Sequence, residues 1–584
     1  MANGAVGPRR LMVLSLLMVF LLGVVVAQGV AQMGGKTRSI DVIDEVERMV
    51  SANYVEQPDQ AKLTKGAIDG MLEALDDPYA EYIPADEAAE FEKAMTGSFS
   101  GIGCQVDTKD GYLYIVSPLE DSPAFNAGVL AGDKIVKVDG KSTQGKKIDE
   151  CIKMITGPEG TVVHLDILRM GQEIPLDITR AKIVSKSVRG FRRENEGGHW
   201  DYIIDPAHKV AYIRLSQFTP TSPEELREAL HHAADEARVE PEKLGGLILD
   251  LRNNPGGLMD AAIEIADMFL DEGRIMSTKG RDGGAFPEVV YRAAFSPYTP
   301  KYPIAVLVNG NSASASEIVS GSLSENKRAV VIGTRTFGKG LVQSVSGLRR
   351  EAGASVKFTT QRYYLPSGRL IQRSDDSTVW GVDPTPGMFL PITDAENLAC
   401  LLRRRDWDIL RKDGAALPEG VEGAPALSDQ HWGDPAWIET TAKDKQLGGA
   451  LRTMDAKITG GEWLKLSDEE NLHGAIALSE LKKLEKGQTA LLKALAASEK
   501  RIETLQTIAS TGKGSVQTPD LWPDAIDLTG GMVEVRDKDG KVIADLKITG
   551  RDLERWLAYA DIEPPAKPAE PAAKGSAKAG EHTP

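Results

Sequence analysis

Three serines alternate with alanines in Ser312-Ala313-Ser314-Ala315-Ser316, and Lys339 follows in Phe337-Gly338-Lys339-Gly340. A serine hydroxyl is a poor nucleophile until a base removes its proton. The stretch Pro303 to Gln343 contains no histidine, and no G-x-S-x-G elbow surrounds the serines. A lysine can serve as the base if burial or cationic neighbours hold its amine neutral, the Ser-Lys variant of triad logic. The local elements suit such a site. An apolar strand, Ile304 to Val308, breaks at Asn309-Gly310-Asn311 and continues as a helix through Glu317 to Leu323. That turn places a side chain and its N–H at a helix N-terminus, where negative charge is stabilised.

A competing chemistry is nucleotide binding. Gly333, four residues, then Gly338-Lys339 nearly spells a P-loop, but Gly340 stands where the Mg²⁺-binding Ser or Thr belongs. Leu341 to Val345 also reads as a strand rather than the helix that a P-loop requires.

The segment resembles the carboxyl-terminal processing, or tail-specific, proteases of the S41 peptidase family. The match runs through Asn309-Gly310, Ser312 to Ile318, Gly333-Thr334, Phe337 to Gly340 and Val342-Gln343. The resemblance implies Ser314 as nucleophile, Lys339 as base and Gln343 as the group that orients the lysine. Asn311 stands where glycine is commoner, and Glu325 where some relatives carry an important aspartate, so Glu325 is not counted in the site. Leu251-Arg252-Asn253-Asn254-Pro255-Gly256-Gly257-Leu258 resembles the family's DLRxNxGG motif. It implies an oxyanion hole built from the N–H of Gly256 or Gly257 together with that of Ala315. Acyl transfer asks for such a pair, about 3 Å from the developing oxyanion. A Gly-rich helix cap is the plainer reading of the same residues. Tyr363 to Gln372 also matches the family, and Gly381 to Pro384 does so loosely.

These residues need a scaffold. Lys209 to Leu215, Gly246 to Leu251, Ile304 to Val308 and Ala329 to Ile332 are continuous apolar runs of the buried-strand kind. Helical patterns at Pro223 to Ala237 and Leu258 to Phe269 alternate with them, so residues 184–396 read as a layered α/β core. Ahead of it, residues 97–183 resemble a PDZ domain, most specifically in Ala131-Gly132-Asp133-Lys134-Ile135-Val136-Lys137-Val138-Asp139-Gly140 and Gly157-Pro158-Glu159-Gly160-Thr161. PDZ domains bind extended C-termini by strand addition. The resemblance implies that Gly101, Ile102 and Gly103 catch the terminal carboxylate, beside the strand Cys104 to Val106. Residues 36–96 read as an N-terminal helical region. The whole is a multidomain α/β (α+β) protein.

The resemblance stops at 397. Residues 397–515 read as a helical extension, interrupted by a linker at 413–435 rich in Gly, Pro and acids. Leu481, Leu484, Leu491, Leu495, Ile502 and Leu505 form a heptad-like stripe, suited to a coiled-coil dimer or, since Gly487 weakens it, equally to an intramolecular hairpin. This region could serve an oligomer or an adaptor. Residues 516–562 hold a β-hairpin turning at Asp539-Gly540, and 563–584 read as a disordered tail.

Length and charge bound the rest. A chain of 584 residues exceeds one core, and a net charge of −16 argues against nucleic acid as a partner. Three scattered cysteines, Cys104, Cys151 and Cys400, are no disulfide framework and read as small buried residues. No Cys/His cluster has zinc spacing, so neither metal nor other cofactor is expected. Arg9-Arg10 before the apolar run Leu11 to Val26 reads as a signal peptide or a retained membrane anchor over residues 1–31. The expected protein is an exported serine endopeptidase of the periplasm or cell envelope, acting on protein or peptide substrates with exposed C-termini. The alternative is a catalytically silent PDZ adaptor on a protease fold.

Overall fold

The computed structural model describes residues 40–109, 111–193, 200–297, 299–374, 376–409, 433–467, 472–511, 532–536 and 542–547. The signal or anchor at 1–31, most of the 413–435 linker, the Asp539-Gly540 turn and the 563–584 tail lie outside them. The chain forms two units. One takes residues up to 91 with 342–361; the other takes 92–341 with the residues from 362 onward.

In the first unit a helix over 40–53 precedes Gln60–Glu73, whose N-cap Asp59 accepts from Ala61 N and Lys62 N. Helices alone were expected over 39–95, but Glu81–Ile83 is a strand, paired antiparallel with residues 355–357. Three residues are too few to show a periodicity; partner hydrogen bonds make this strand. The expected helix-face residues Val42, Val46 and Met49 are exposed. The strand Leu341–Gly347 pairs with Ser355–Tyr364 in the same sheet.

In the second unit the PDZ domain is an antiparallel sheet in the order Cys104–Lys109, Tyr112–Pro118, Lys134–Val138, Val162–Arg169, Gln172–Thr179. Ile148, Cys151 and Ile155 of the helix Ile148–Ile155 pack against Leu113, Ile115, Ile135 and Val163. Asp139 and Gly140 both take positive φ, the geometry that a two-residue D-G hairpin loop needs. Cys104–Lys109 is an edge of the sheet order. Cys151 is buried as expected, while Cys104 and Cys400 are partly exposed.

The α/β core is built on the sheet order Val188–Arg189, Val210–Leu215, Gly246–Asp250, Ile304–Val308, Val330–Gly333, whose last four strands are parallel. Every residue of the last three is buried, as their unbroken apolar runs require. Helices Ser222–Ala237, Met259–Asp267 and Ala315–Glu325 belong to the core. So does the helix Lys445–Gly460. Its Leu447, Ala450, Leu451 and Met454 share one apolar cluster with Ile248, Ala305, Leu307 and Ile332 of the strands. A Cβ on Gly246 would stand 2.6 Å from the Met454 sulfur. The core therefore does not end at 396. A parallel sheet must be covered on both faces, and the segment past 397 supplies cover.

The leucine stripe lies on one continuous helix of 40 residues, Leu472–Thr511, which corrects the hairpin alternative; Leu481, Leu484, Leu491 and Leu495 are exposed. Gly487 meets nothing within 4 Å and does not break it. The C-terminal strands Met532–Arg536 and Val542–Lys547 pair antiparallel. No helix among the described residues is long and apolar enough to cross a membrane.

Candidate active site

The strand Ile304–Val308 and the helix Ala315–Glu325 are joined by the serine-rich turn, and burial separates the three serines. Ser312 and Ser316 are both 0 % exposed. The Ser312 hydroxyl donates to Leu251 O at 2.8 Å and the Ser316 hydroxyl to Asn254 O at 2.9 Å. Both are fasteners to the Leu251–Leu258 loop. Only Ser314 is partly exposed, at the helix N-cap with φ 55°, ψ −115°. That backbone is strained for a residue bearing Cβ, and it turns the side chain out of the helix line.

Three contacts hold the strained turn. Tyr363 Oη donates to Ser314 O at 3.1 Å. Ala313 N donates to Asn254 O at 3.1 Å. Ser314 N donates to Glu317 Oε2 at 2.8 Å. Glu317 is wholly buried and reaches further. The same Oε2 accepts from Lys339 N at 2.9 Å, while Oε1 accepts from Gly338 N at 2.7 Å and from the Thr336 hydroxyl at 2.6 Å. One carboxylate oxygen thus carries the backbone N–H of the expected nucleophile and of the expected base. Burial pushes the Glu317 pKa up, and hydrogen bonds from Thr336, Lys339, Gly338 and Ser314 oppose it.

The lysine loop is wedged in place. Arg335 pairs with Asp383 at 2.5 Å and lies over the Trp380 ring. Gly338 has φ +91°, and a Cβ there would come within 2.6 Å of Trp380. Lys339 itself is partly exposed. Phe337 is 43 % exposed and does not enclose the lysine loop. Gln343 belongs to the other unit, where its Nε2 donates to Thr359 Oγ1 at 3.3 Å.

Of the two glycines expected at an oxyanion hole, Gly256 lies against the Ser314 turn. A Cβ on it would meet Ser314 Cβ at 2.8 Å and Ala315 N at 3.0 Å. Its own N–H is taken by Asn254 Oδ1 at 2.9 Å. The N–H groups of Gly257 and Ala315 have no hydrogen-bond acceptor among the described residues. Gly257, at φ +142°, bridges to Phe218. The glycine loop is anchored by a buried ion cluster. Arg252 binds Asp250 (Nη2–Oδ2 2.6 Å) and Asp444 (Nη1–Oδ1 2.8 Å), and Tyr212 Oη donates to Asp250 at 2.7 Å. Burial alone would raise the Asp444 pKa, but the Arg252 charge and hydrogen bonds bring it down to about 2.

In the PDZ domain, Ile102 and Gly103 point their carbonyls inward, to Ala124 N at 2.8 Å and to Leu119 N at 2.9 Å. Gly101 closes the preceding strand opposite Ala181. The N–H groups of Ile102 and Gly103 have no acceptor among the described residues. Gly103 must be glycine, since φ is +78° and a Cβ would overlap Ser122 Cβ at 2.3 Å.

Sequence reasoning missed Glu317, Thr336, Tyr363, Asn254 and Asp444 as parts of the site. Glu317 alone carried a local signal: Ser314-x-x-Glu317 is the capping-box spacing.

Residues 209–386 match the model of peptidase family S41, 114–169 a PDZ domain, and 25–87 the activating protease CtpB N-terminal domain. The chain is 38% identical over 416 residues to the carboxy-terminal-processing protease of Bartonella bacilliformis, covering 71% of this chain and 88% of that one. It is 35% identical over 353 residues to the carboxy-terminal processing protease CtpA of Bacillus subtilis, covering 60% and 69%. The solved photosystem II D1 C-terminal processing protease is 28% identical, over 59% of this chain and 86% of that one, with a TM-score of 0.34. This chain belongs to peptidase family S41, among the carboxy-terminal processing proteases that carry a PDZ domain.

Two outcomes follow from the packing of the site. Glu317→Gln leaves one acceptor oxygen for four donors, so kcat/KM should fall by about 10² or more, from losing charge-assisted bonds worth about 1.5–3 kcal/mol each; steady-state kinetics on a peptide substrate reads it. Asp444→Asn should destabilise the core by about 3–5 kcal/mol at neutral pH, because it leaves Arg252 short of a buried partner. A depressed carboxylate pKa gives stability that is present above the unfolded value of about 3.9 and is lost as pH falls through the folded one. The gap in thermal midpoint between wild type and variant should therefore hold above about pH 4 and close towards pH 2.

Proposed function

We propose that this chain is an exported serine endopeptidase that uses Ser314 and Lys339 and selects substrates by their C-terminal tails. The observation that carries the reading is Glu317 Oε2, which binds the backbone N–H of both Ser314 and Lys339. The neutral Lys339 amine takes the Ser314 hydroxyl proton as Oγ attacks the scissile carbonyl. Gln343 orients that amine. The N–H groups of Ala315 and Gly257 receive the oxyanion; Gly257 is preferred over Gly256, whose N–H is already engaged. The lysine then protonates the leaving amine, and water hydrolyses the ester left on Ser314. The PDZ domain holds the substrate tail as an added strand on the edge Cys104–Lys109, with its carboxylate on the N–H groups of the Gly101–Ile102–Gly103 loop.

The alternative, a silent adaptor, is weakened by the retention of Ser314, Lys339 and Gln343 together. The test is incubation of the mature chain with an unfolded, apolar-tailed protein, followed by mass spectrometry. Wild type should cleave it. Ser314→Ala and Lys339→Arg should not, since a guanidinium stays charged at any usable pH. Gln343→Ala should lose less. Amidating the substrate tail should raise KM or abolish cleavage. Near wild-type cleavage by Lys339→Arg would remove the lysine from the mechanism, and equal cleavage of acid and amide tails would remove the PDZ loop.

Export rests on Arg9-Arg10 and the apolar run after them. The full chain expressed in a Gram-negative host should fractionate with the periplasm or the inner membrane; recovery in the cytosolic fraction would overturn it.

A further inference from the structure

A second polar cavity, of about 260 Å³, lies in the larger unit and is lined by none of the residues around Ser314 or Lys339. It opens where the PDZ residues Ser117 to Glu120, the connecting segment 184–193 and the end of the helix Asp394–Asp408 meet. Five arginines and Lys186 line it, against two carboxylates, Glu120 and Asp408. Asp408 is already shared by Arg189 at 2.9 Å and Arg214 at 2.5 Å. Glu120 pairs with Lys186 at 3.4 Å and stands 3.8 Å from Arg193 Nη2, beyond hydrogen-bond reach.

The wall is therefore rich in positive donors and short of acceptors. Nε and Nη1 of Arg193, Nε of Arg214 and the indole N–H of Trp200 are buried with no acceptor among the described residues, four donor atoms beside one buried carboxylate oxygen, Oε2 of Glu120, that takes no hydrogen bond from them. Buried polar groups are rarely left so. The donors are also fixed in place. Arg193 stacks on the Trp200 ring at 4.4 Å, and Arg404 donates to Phe191 O at 2.8 Å and to Tyr212 Oη at 3.2 Å. Burial and the neighbouring Arg214 charge pull the Arg189 pKa below its ordinary value, and burial does the same to Arg193.

We propose that this cavity is a binding site for a small, multiply charged oxyanion of the polyphosphate or polycarboxylate class. Arginine forks match the paired oxygens of both groups, and a preorganised donor set binds without an ordering cost. Among the largely buried lining groups, Arg189, Arg193, Arg214 and Arg404 outnumber Glu120 and Asp408, so the ligand carries more than one negative charge.

The test is isothermal titration calorimetry on the full chain at physiological ionic strength, with inorganic pyrophosphate in one arm and citrate in the other. At least one probe should bind at a saturable single site and raise the thermal midpoint; which arm binds assigns phosphate or carboxylate chemistry. Arg193→Gln should weaken that binding at least tenfold, and Glu120→Gln, which removes a competing carboxylate, should tighten it several-fold. Without anion, Arg193→Gln should melt no lower than wild type, because it relieves repulsion. Absence of saturable binding in both arms overturns the proposal. So does binding that neither variant changes, which places the anion elsewhere, and so does an anion-free Arg193→Gln that melts well below wild type, which makes the cluster structural.

Discussion

One buried carboxylate sets the shape of the serine turn. Glu317 faces four donors, three backbone N–H groups and the Thr336 hydroxyl, and each needs an oxygen lone pair. A protonated carboxyl would turn one acceptor into a donor in the midst of donors, so the arrangement requires the ionised form. Burial opposes that form, and the turn's N–H dipoles and the N-terminus of the helix Ala315–Glu325 favour it. The compensation is distributed over two segments, so neither segment moves without leaving a buried charge short of donors. The strained Ser314 backbone persists under that restraint.

A second ionic cluster does for the glycine loop what Glu317 does for the serine turn. Arg252 sits between Asp250, at the end of a core strand, and Asp444, at the N-cap of the helix Lys445–Gly460. All three charges are buried, an arrangement stable only when every member is satisfied. Asn253 and Asn309 exchange hydrogen bonds across the gap, and Asn311 adds one to Asn253. Asn311 replaces the commoner glycine, and here it has a partner. A segment beyond the reach of the sequence resemblance thus helps to hold the loop whose N–H groups face the reacting carbonyl in the proposed mechanism.

Much of this was legible in the chain. The core strands declare themselves because fully buried parallel strands need no alternation, and Ile304 to Val308 was found to the residue. The PDZ helix was equally plain, since Ile148, Cys151 and Ile155 repeat at helical spacing. The misses share a cause. Glu81–Ile83 and Gln172–Thr179 are strands made by their partners rather than by a pattern of their own. The helix Lys445–Gly460 falls within the helical extension read over 397–515, but its place in the core was not legible, because only the folded sheet shows what it covers; there Gly448 packs against Glu439 and Gly449 against Leu390, where side chains would not fit. Which of the three serines is free was not decided by composition, because all three have the same local chemistry. Burial decides it, through Leu251 O and Asn254 O, which lie some sixty residues away in sequence.

The central claim is that one carboxylate ties the serine turn to the lysine loop. Amide hydrogen exchange on Glu317→Gln, followed by mass spectrometry, reads it without requiring activity. The N–H groups of Ser314, Gly338 and Lys339 all end on that side chain, so peptides spanning 312–317 and 336–340 should lose protection together while the core strands keep theirs. Unchanged protection in both peptides, or loss in only one, would contradict the account.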